Sequence, residues 1–316
     1  MSDFPVDRPH ETRIDRSIIV PFIIFTLIWG STWLVIRGQI GTVAPQWSVT
    51  YRFAIAAVAM AAVARWKGQS LRPNRALLIA ATILGVSQFC INFNCVYVAE
   101  RFITSGIVAT VFAILIVPNS LLAWAMLGQR PSRRFAIGGA IAAAGIAMLF
   151  IHEVQTSRVS SASVLAGLGF TLLGMLGASF ANVFQAKDSS RRHPLLALLA
   201  WAMAIGAAVD ALLALAIAGP PTIDPSPIYW LGLTYLALAA SVLCFSLYFP
   251  VVRKIGPGRA AYSSVLVPVI AMGLSTVFEN YRWSLLAALG GLLALGGMLV
   301  ALSGGGGSKV AAPDAG

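Results

Sequence analysis

Charged side chains are scarce in this sequence, since Asp, Glu, Lys and Arg together make up only 10% of its residues. A soluble globular domain carries roughly a quarter charged residues, so this chain could not cover a water-facing surface with them. The apolar residues reach 58% and are gathered in long runs, which a soluble core does not need. The sequence therefore predicts an all-α, polytopic membrane protein.

Histidine and cysteine are also rare, with three residues of each. The histidines lie far apart in loops or the tail, and no metal-ligand spacing or Gly-rich phosphate loop occurs. Cys90, Cys95 and Cys244 lie inside apolar runs and offer no disulfide framework. An enzyme would need a nucleophile with a base, a metal cluster or paired carboxylates. We therefore expect neither an enzyme nor a bound cofactor or metal.

Ten apolar segments are long enough, or nearly so, to cross a hydrocarbon core of about 30 Å at 1.5 Å per residue. The first follows a polar tail and is too long for the core of a signal peptide. The fifth is short, and the ninth carries three hydroxyl groups. The predicted spans are 17–36, 46–64, 76–98, 103–127, 135–151, 164–186, 195–217, 229–250, 258–278 and 283–302.

The basic residues behind the net charge of +11 lie in short clusters between the spans, and they do not indicate a nucleic-acid-binding surface. Of the 22 Lys and Arg residues, 17 fall in the tails and loops on one side of a ten-span layout. Four fall on the other side, and Arg52 lies within a span. Because cytoplasmic loops carry the excess of positive charge, both termini are expected in the cytoplasm.

The two halves of the chain repeat each other. Pro118 and Pro268 are 150 residues apart, as are Gln129 and Glu279, and paired glycines recur in the spans that follow. Five spans per half is an odd number, so the second half enters the membrane in the opposite orientation. The expected organisation is a tail 1–16, a first five-helix repeat 17–151, an outer linker 152–163, a second repeat 164–302 and a flexible C-terminal tail 303–316.

A family resemblance follows from these landmarks. The run Trp29 to Trp33, read as Trp-Gly-Ser-Thr-Trp, resembles the opening of the drug/metabolite transporter superfamily. Arg52 in the second span, the prolines Pro118 and Pro268, and Glu279 resemble further landmarks of that superfamily. The resemblance covers both repeats, which is nearly all of the membrane part.

The resemblance implies the EamA-type branch of ten-helix exporters. Within that branch the chain is similar to bacterial inner-membrane exporters of aromatic and other neutral amino acids. One departure is Gln129, which stands where the first repeat usually has glutamate. A charge-dependent role is therefore not expected at that position.

Polar and aromatic side chains inside the spans are the candidates for substrate binding. Amides are costly in hydrocarbon unless they face a partner or a cavity, and indole rings can stack on an aromatic or apolar substrate. The alternatives are hydrogen bonds between helices and a tryptophan belt at the interface. The candidates are Trp29 and Trp33; Gln88, Asn92, Asn94 and Tyr97; Ser179, Asn182 and Gln185; and Phe245, Tyr248 and Ser264.

Two prolines and two charges complete the candidate residues. Pro118 and Pro268 each remove a backbone hydrogen bond, so they are candidate hinges, with static kinks as the alternative. Arg52 and Asp210 are predicted to be buried at similar depth within their spans. They could pair with each other or bind loop carbonyls, and Arg52 could instead attract a substrate carboxylate.

The expected function is export of small neutral metabolites by alternating access around a cavity between the repeats. Facilitated diffusion or exchange is expected, because no carboxylate or histidine lies near a predicted midplane. The alternatives are a proton-coupled exporter of hydrophobic cations and a channel. The expected partners are a small-molecule substrate and the lipid bilayer, with the chain acting as a monomer and without nucleic acid.

Fusion reporters test the predicted orientation. Alkaline phosphatase, which is active only outside the cytoplasm, should be active when inserted in the loop 219–228 and inactive after residue 303. Green fluorescent protein at the C-terminus should be fluorescent. The reverse pattern would contradict the assignment from Lys and Arg.

Overall fold

A computed structural model describes residues 16–128, 130–156, 160–187, 192–248, 250–251 and 263–303. This part of the chain is all-helical. Its ten long helices are α1 Arg16–Arg37, α2 Pro45–Trp66, α3 Arg75–Ala99, α4 Ser105–Leu127, α5 Arg133–Thr156, α6 Ser161–Ala186, α7 Leu195–Ala218, α8 Pro227–Tyr248, α9 Ser263–Phe278 and α10 Leu285–Ser303.

The first eight helices, α1 to α8, are long enough and apolar enough to cross a membrane. Helices α9 and α10 contain the shorter apolar stretches Val265–Phe278 and Leu285–Ala301. Many large aliphatic side chains point outward, among them Leu173, Leu212 and Leu292. In lipid this is the favourable arrangement, because the solvent around the bundle is as apolar as the side chains. The fold is that of a polytopic membrane protein.

The bounds of several helices differ from the predicted spans. Helix α5, predicted to be short, has 24 residues and continues to Thr156, while α6 begins at Ser161. The start of the predicted ninth span, 258–262, lies outside the described residues. Hydropathy averaged over a window does not detect the amphipathic turns that extend a helix beyond the apolar core, which explains the misjudged length of α5.

The helices pack mainly across the two halves of the chain. Helix α2 packs along α7, and α5 packs along α10. Helix α1 contacts α9, and the equivalent helix α6 contacts α4. Helix α3 packs on α6 and α7, and the equivalent helix α8 packs on α1 and α2. Each of these contacts thus has a counterpart with the halves exchanged, or joins two helices at equivalent places in the halves.

Glycines allow α5 and α10 to touch backbone to backbone. A Cβ atom at Gly297 would lie 2.3 Å from the backbone nitrogen of Ala142, and one at Gly145 would lie 2.4 Å from that of Ala294. Small residues are the usual means of close helix packing in membranes, where apolar burial provides no driving force between helices. Gly296, by contrast, has open space around it.

Two helices contain π-helical segments, in which each turn is wider by one residue. The segment Gly85–Asn92 lies in α3, and Leu236–Leu243 lies in α8. They begin 151 residues apart, at matching places in the two halves. The first is held between glycines of neighbouring helices: a Cβ atom at Gly177 would lie 2.8 Å from the Ser87 carbonyl oxygen. Such segments often occur at functional sites.

The two candidate hinge prolines have different surroundings. Helix α4 is interrupted between Ala113 and Ile116, where the Ile114 carbonyl accepts a hydrogen bond from Val117. Pro118, four residues after Ile114, has no N–H to donate to that carbonyl. Pro268 is buried inside the continuous helix α9. The backbone is therefore broken near one proline and regular at the other.

Adjacent glycines in α10 provide a matched test of the α5–α10 contact. Gly297→Ala should lower the free energy of unfolding by about 1–3 kcal/mol, because the added methyl group overlaps the backbone of α5. Gly296→Ala should be neutral or slightly stabilising, since alanine favours helix and the position is open. Thermal unfolding in detergent measures both; equal effects would contradict this packing.

Candidate functional site

An aromatic cluster joins α1 to α8. The Trp29 ring lies 5.1 Å from Tyr248 and 5.8 Å from Phe245, measured between centroids, and Phe25 packs against Trp29 at 5.4 Å. The Trp29 indole N–H donates to the carbonyl of Ala240, which belongs to the π segment of α8, at 3.1 Å. Three of the predicted binding residues, Trp29, Phe245 and Tyr248, therefore lie together.

A chain of phenylalanine rings continues from this cluster toward α2. Phe245 contacts Phe89 at 6.2 Å, and Phe89 contacts Phe53 at 4.9 Å. Phe53 in turn lies 4.8 Å from Phe93. Together with the Trp29 cluster, these rings form a continuous aromatic path through the core, which we define by Trp29, Phe245, Phe89, Phe53 and Phe93.

Arg52 stands at the end of the aromatic path. Its side chain is 2% exposed, and its guanidinium carbon lies 4.3 Å from the centroid of the Phe93 ring. Its Nη2 donates to the Ser241 hydroxyl at 3.3 Å, whereas Nε and Nη1 have no hydrogen-bond partner. The ring face stabilises the cation by cation–π attraction. Arg52 therefore keeps two buried donors available.

A polar cluster lies at one end of the bundle, where α1 ends, α4 begins and α9 ends. Glu279 lies 3.7 Å from the Nε of Arg37. Its carboxylate also accepts hydrogen bonds from the backbone N–H and the hydroxyl of Ser105. We call this end, with Arg37, Glu100, Ser105 and Glu279, the Glu279 end. It ties three helices together by charged contacts.

Glu100, directly after α3, is fully buried in this cluster. Neither of its carboxylate oxygens has a hydrogen-bond partner. Burial and the neighbouring Glu279 carboxylate raise the pKa of Glu100 well above its usual range, while Arg37 and Arg52 act in the opposite direction. The hydroxyl of Tyr97, one turn earlier on α3, is also buried without a hydrogen-bond partner and interacts with Arg52.

Arg52 and Asp210 are both buried, but they form no ion pair. The Oδ1 of Asp210 accepts a hydrogen bond from the Asn94 side chain at 2.7 Å, and Asn94 also donates to the Cys90 carbonyl at 2.9 Å. Asn94 thus links α3 to α7 instead of facing the aromatic path. The structure corresponds to the alternative of a hydrogen bond between helices for Asn94.

The remaining candidate residues are spread around the bundle. Asn92 and Ser179 are buried with unpartnered side-chain oxygens, and the Trp33 ring packs on Phe112 at 5.1 Å. Gln88 and Gln185 are half-buried, and Asn182 is exposed. Ser264 belongs to α9, but its side chain lies outside the described residues.

Sequence reasoning missed Glu100 and the phenylalanines of α3. Phe89, Phe93, Tyr97 and Glu100 recur at intervals of three and four residues, which is one helical face. This stripe is visible in the sequence, but apolar and aromatic side chains on a span give no signal that separates a site from ordinary packing. The π segment Gly85–Asn92 adds a residue to a turn, so it rotates the residues before it relative to Asn94 and Tyr97, which lie in the regular helix that follows.

Buried aromatic and charged side chains between apolar helices are suited to binding a small molecule inside a membrane. The EamA-like transporter family matches residues 16–151 and again residues 165–303. The chain belongs to this family and is a membrane transporter.

Individual relatives agree with the family assignment. The chain is 31% identical over 254 residues to the uncharacterized inner membrane transporter YedA of Escherichia coli K12, covering 79% of each chain. It is 23% identical over 288 residues to a probable amino-acid metabolite efflux pump of the same organism, covering 88% of this chain and 92% of the relative. One solved crystal structure shares the fold at a TM-score of 0.65 and 19% identity, covering 90% of this chain and 96% of that chain.

The contacts of Glu279 with Arg37 and Ser105 should restrict access to the core from the Glu279 end. Ser275 is fully buried one turn before Glu279, so a Ser275→Cys reporter, with the native cysteines replaced by alanine, should react slowly with a membrane-impermeant maleimide. Adding Glu279→Gln should speed labelling about fivefold, because the charge-assisted bonds to Arg37 and Ser105 weaken.

Asp224→Asn, in the loop between α7 and α8, is the control and should leave the labelling rate unchanged. A labelling rate that is the same with and without Glu279→Gln would show that these contacts do not restrict access.

Proposed function

We propose that this protein exports small neutral metabolites, above all aromatic and other neutral amino acids, across the bacterial inner membrane by alternating access. Facilitated diffusion or exchange is the proposed mode. The observation that carries the proposal is the continuous aromatic path that ends at the buried Arg52 guanidinium. Aromatic rings provide contact area for an apolar or aromatic side chain, and a guanidinium is suited to a carboxylate.

The relatives support this substrate class and location. One is a probable amino-acid metabolite efflux pump, and another is an inner membrane transporter. The substrate itself is proposed from the chemistry of the path, because transporters of one fold carry many unrelated compounds.

Several features support an inverted repeat. The family matches the chain twice, and the π segments begin at equivalent places in both halves. Helix α1 ends at the Glu279 end, whereas Gly167, near the start of α6, packs beside Phe102 and Ile103 in the α3–α4 connection at that same end. First helices that run in opposite directions are expected of such a repeat.

Alternating access requires a closure at each end of the path. With both termini in the cytoplasm, the Glu279 end faces outward, and its cluster holds α1, α4 and α9 together on that side. The position equivalent to Glu279 is Gln129, which lies outside the described residues. A neutral amide there cannot form the same ion pair, so the closure facing the cytoplasm must rest on other contacts.

Uptake into proteoliposomes tests the proposal. Labelled aromatic, aliphatic and charged amino acids, together with a quaternary ammonium dye, are offered with and without a pH gradient. We expect saturable uptake of neutral amino acids at a rate that does not depend on the pH gradient. Trp29→Ala should reduce this uptake about tenfold or more, because it removes the ring that joins α1 to the aromatic path.

Trp124→Ala is the matched control. Trp124 lies on α4 and is 51% exposed on the outside of the bundle, so its loss should leave uptake close to the original value. Gradient-driven dye transport without an amino-acid signal would overturn the proposal in favour of an exporter of hydrophobic cations.

A further inference from the structure

The groups at the end of the aromatic path have unused hydrogen-bonding capacity of opposite kinds. Arg52 offers two buried donors, Nε and Nη1, that make no hydrogen bond of normal geometry, although the Tyr97 hydroxyl is near enough to interact with the guanidinium. Glu100 offers two buried acceptor oxygens without partners. Leaving charged groups unsatisfied in the interior is costly. Such groups persist where another interaction or a ligand uses them.

These two side chains do not satisfy each other. They form no ion pair within the 4.0 Å distance that defines one, although they are near enough to interact electrostatically. Phe93 and Tyr97 lie on one face of α3, and Glu100 follows directly after the helix. The Arg52 guanidinium lies over the Phe93 ring and interacts with Tyr97. The polar groups thus form a row with donors at one end and acceptors at the other.

The row is complementary to the head group of an α-amino acid, whose carboxylate accepts hydrogen bonds and whose ammonium group donates them. Guanidinium groups bind carboxylates through two N–H groups, and a carboxylate is acceptor-only toward an ammonium group. We propose that Arg52 binds the carboxylate and Glu100 the ammonium group of a zwitterionic substrate, with Tyr97 between them. This assignment rests on the proposed function and names its head-group site.

The surroundings of the row agree with this assignment. Phe53 and Phe93 adjoin Arg52 and continue into the aromatic path, which leaves an apolar environment for the substrate's side chain. The charged groups nearest Glu100 are Arg37 of α1, Arg52 of α2 and Glu279 of α9. Burial and the Glu279 carboxylate favour the protonated form of Glu100, whereas the two guanidinium groups favour its carboxylate form, and a bound ammonium group would add to their effect.

Competition against labelled phenylalanine tests the site in the unaltered protein. Phenylalanine amide lacks the carboxylate, and 3-phenylpropionate lacks the ammonium group. Each should bind at least about tenfold more weakly than phenylalanine, because each leaves one charged partner buried and unpaired. Equal competition by either analogue would overturn the assignment without any variant that could misfold.

Two variants should then separate the two contacts. Glu100→Gln should weaken the binding of phenylalanine about tenfold and leave the binding of 3-phenylpropionate unchanged. Arg52→Gln should weaken the binding of phenylalanine and of 3-phenylpropionate and leave that of phenylalanine amide unchanged. Arg101→Gln, an exposed neighbour of Glu100, is the control and should alter none of the three ligands.

The failures are distinguishable. Equal losses for all three ligands in both variants would indicate a purely structural role and overturn the head-group site alone. Phenylalanine transport that is insensitive to both variants would also overturn only this site. If the unaltered protein neither binds nor transports any neutral amino acid, the proposed function fails, and the head-group site fails with it.

Discussion

Backbone N–H and C=O groups inside a bilayer have no water to bond to, and this constraint underlies the whole structure. It requires the backbone groups of every span to form hydrogen bonds within the protein, which only helices and closed barrels achieve. Departures from the regular α-helix are therefore informative, because they realign side chains within a span. They occur at the π segments of α3 and α8 and at the break before Pro118. At Ala240 the carbonyl oxygen accepts the indole N–H of Trp29, so an altered turn and a binding candidate are joined.

Close approach of the helices decides where side chains meet. A Cβ atom at Gly30 would lie 2.6 Å from Ile270 on α9, so the glycine of the Trp-Gly-Ser run lets α1 cross α9. Gly106 on α4 has the same relation to Met272 of α9. These crossings bring α1, α4 and α9 together where Arg37, Ser105 and Glu279 form their cluster. The family landmark at Gly30 is thus explained by packing, while the adjacent Trp29 faces the aromatic path.

The two buried charges of the spans are accommodated in different ways. Asp210 is held by Asn94 across α3 and α7, so its interaction is a fixed link between helices. Arg52 has one weak bond to Ser241 and the face of Phe93, and its other donors have no partner. Equal depth in the sequence allowed a pair as one alternative. Asp210 instead meets Asn94, and Arg52 meets Ser241 and Phe93, which depth along a helix cannot reveal.

The sequence by itself determined the class of the protein. Scarce charge and long apolar runs require a helical membrane protein, because only such a protein tolerates that composition. The landmarks of both halves also identified the family. The tertiary structure decided the site: that Trp29 meets Phe245 and Tyr248, that Asn94 turns to Asp210, and that Glu100 is buried beside Arg37 and Arg52. These contacts join residues on different helices, and the periodicity of a single helix carries no information about which side chains of other helices it meets.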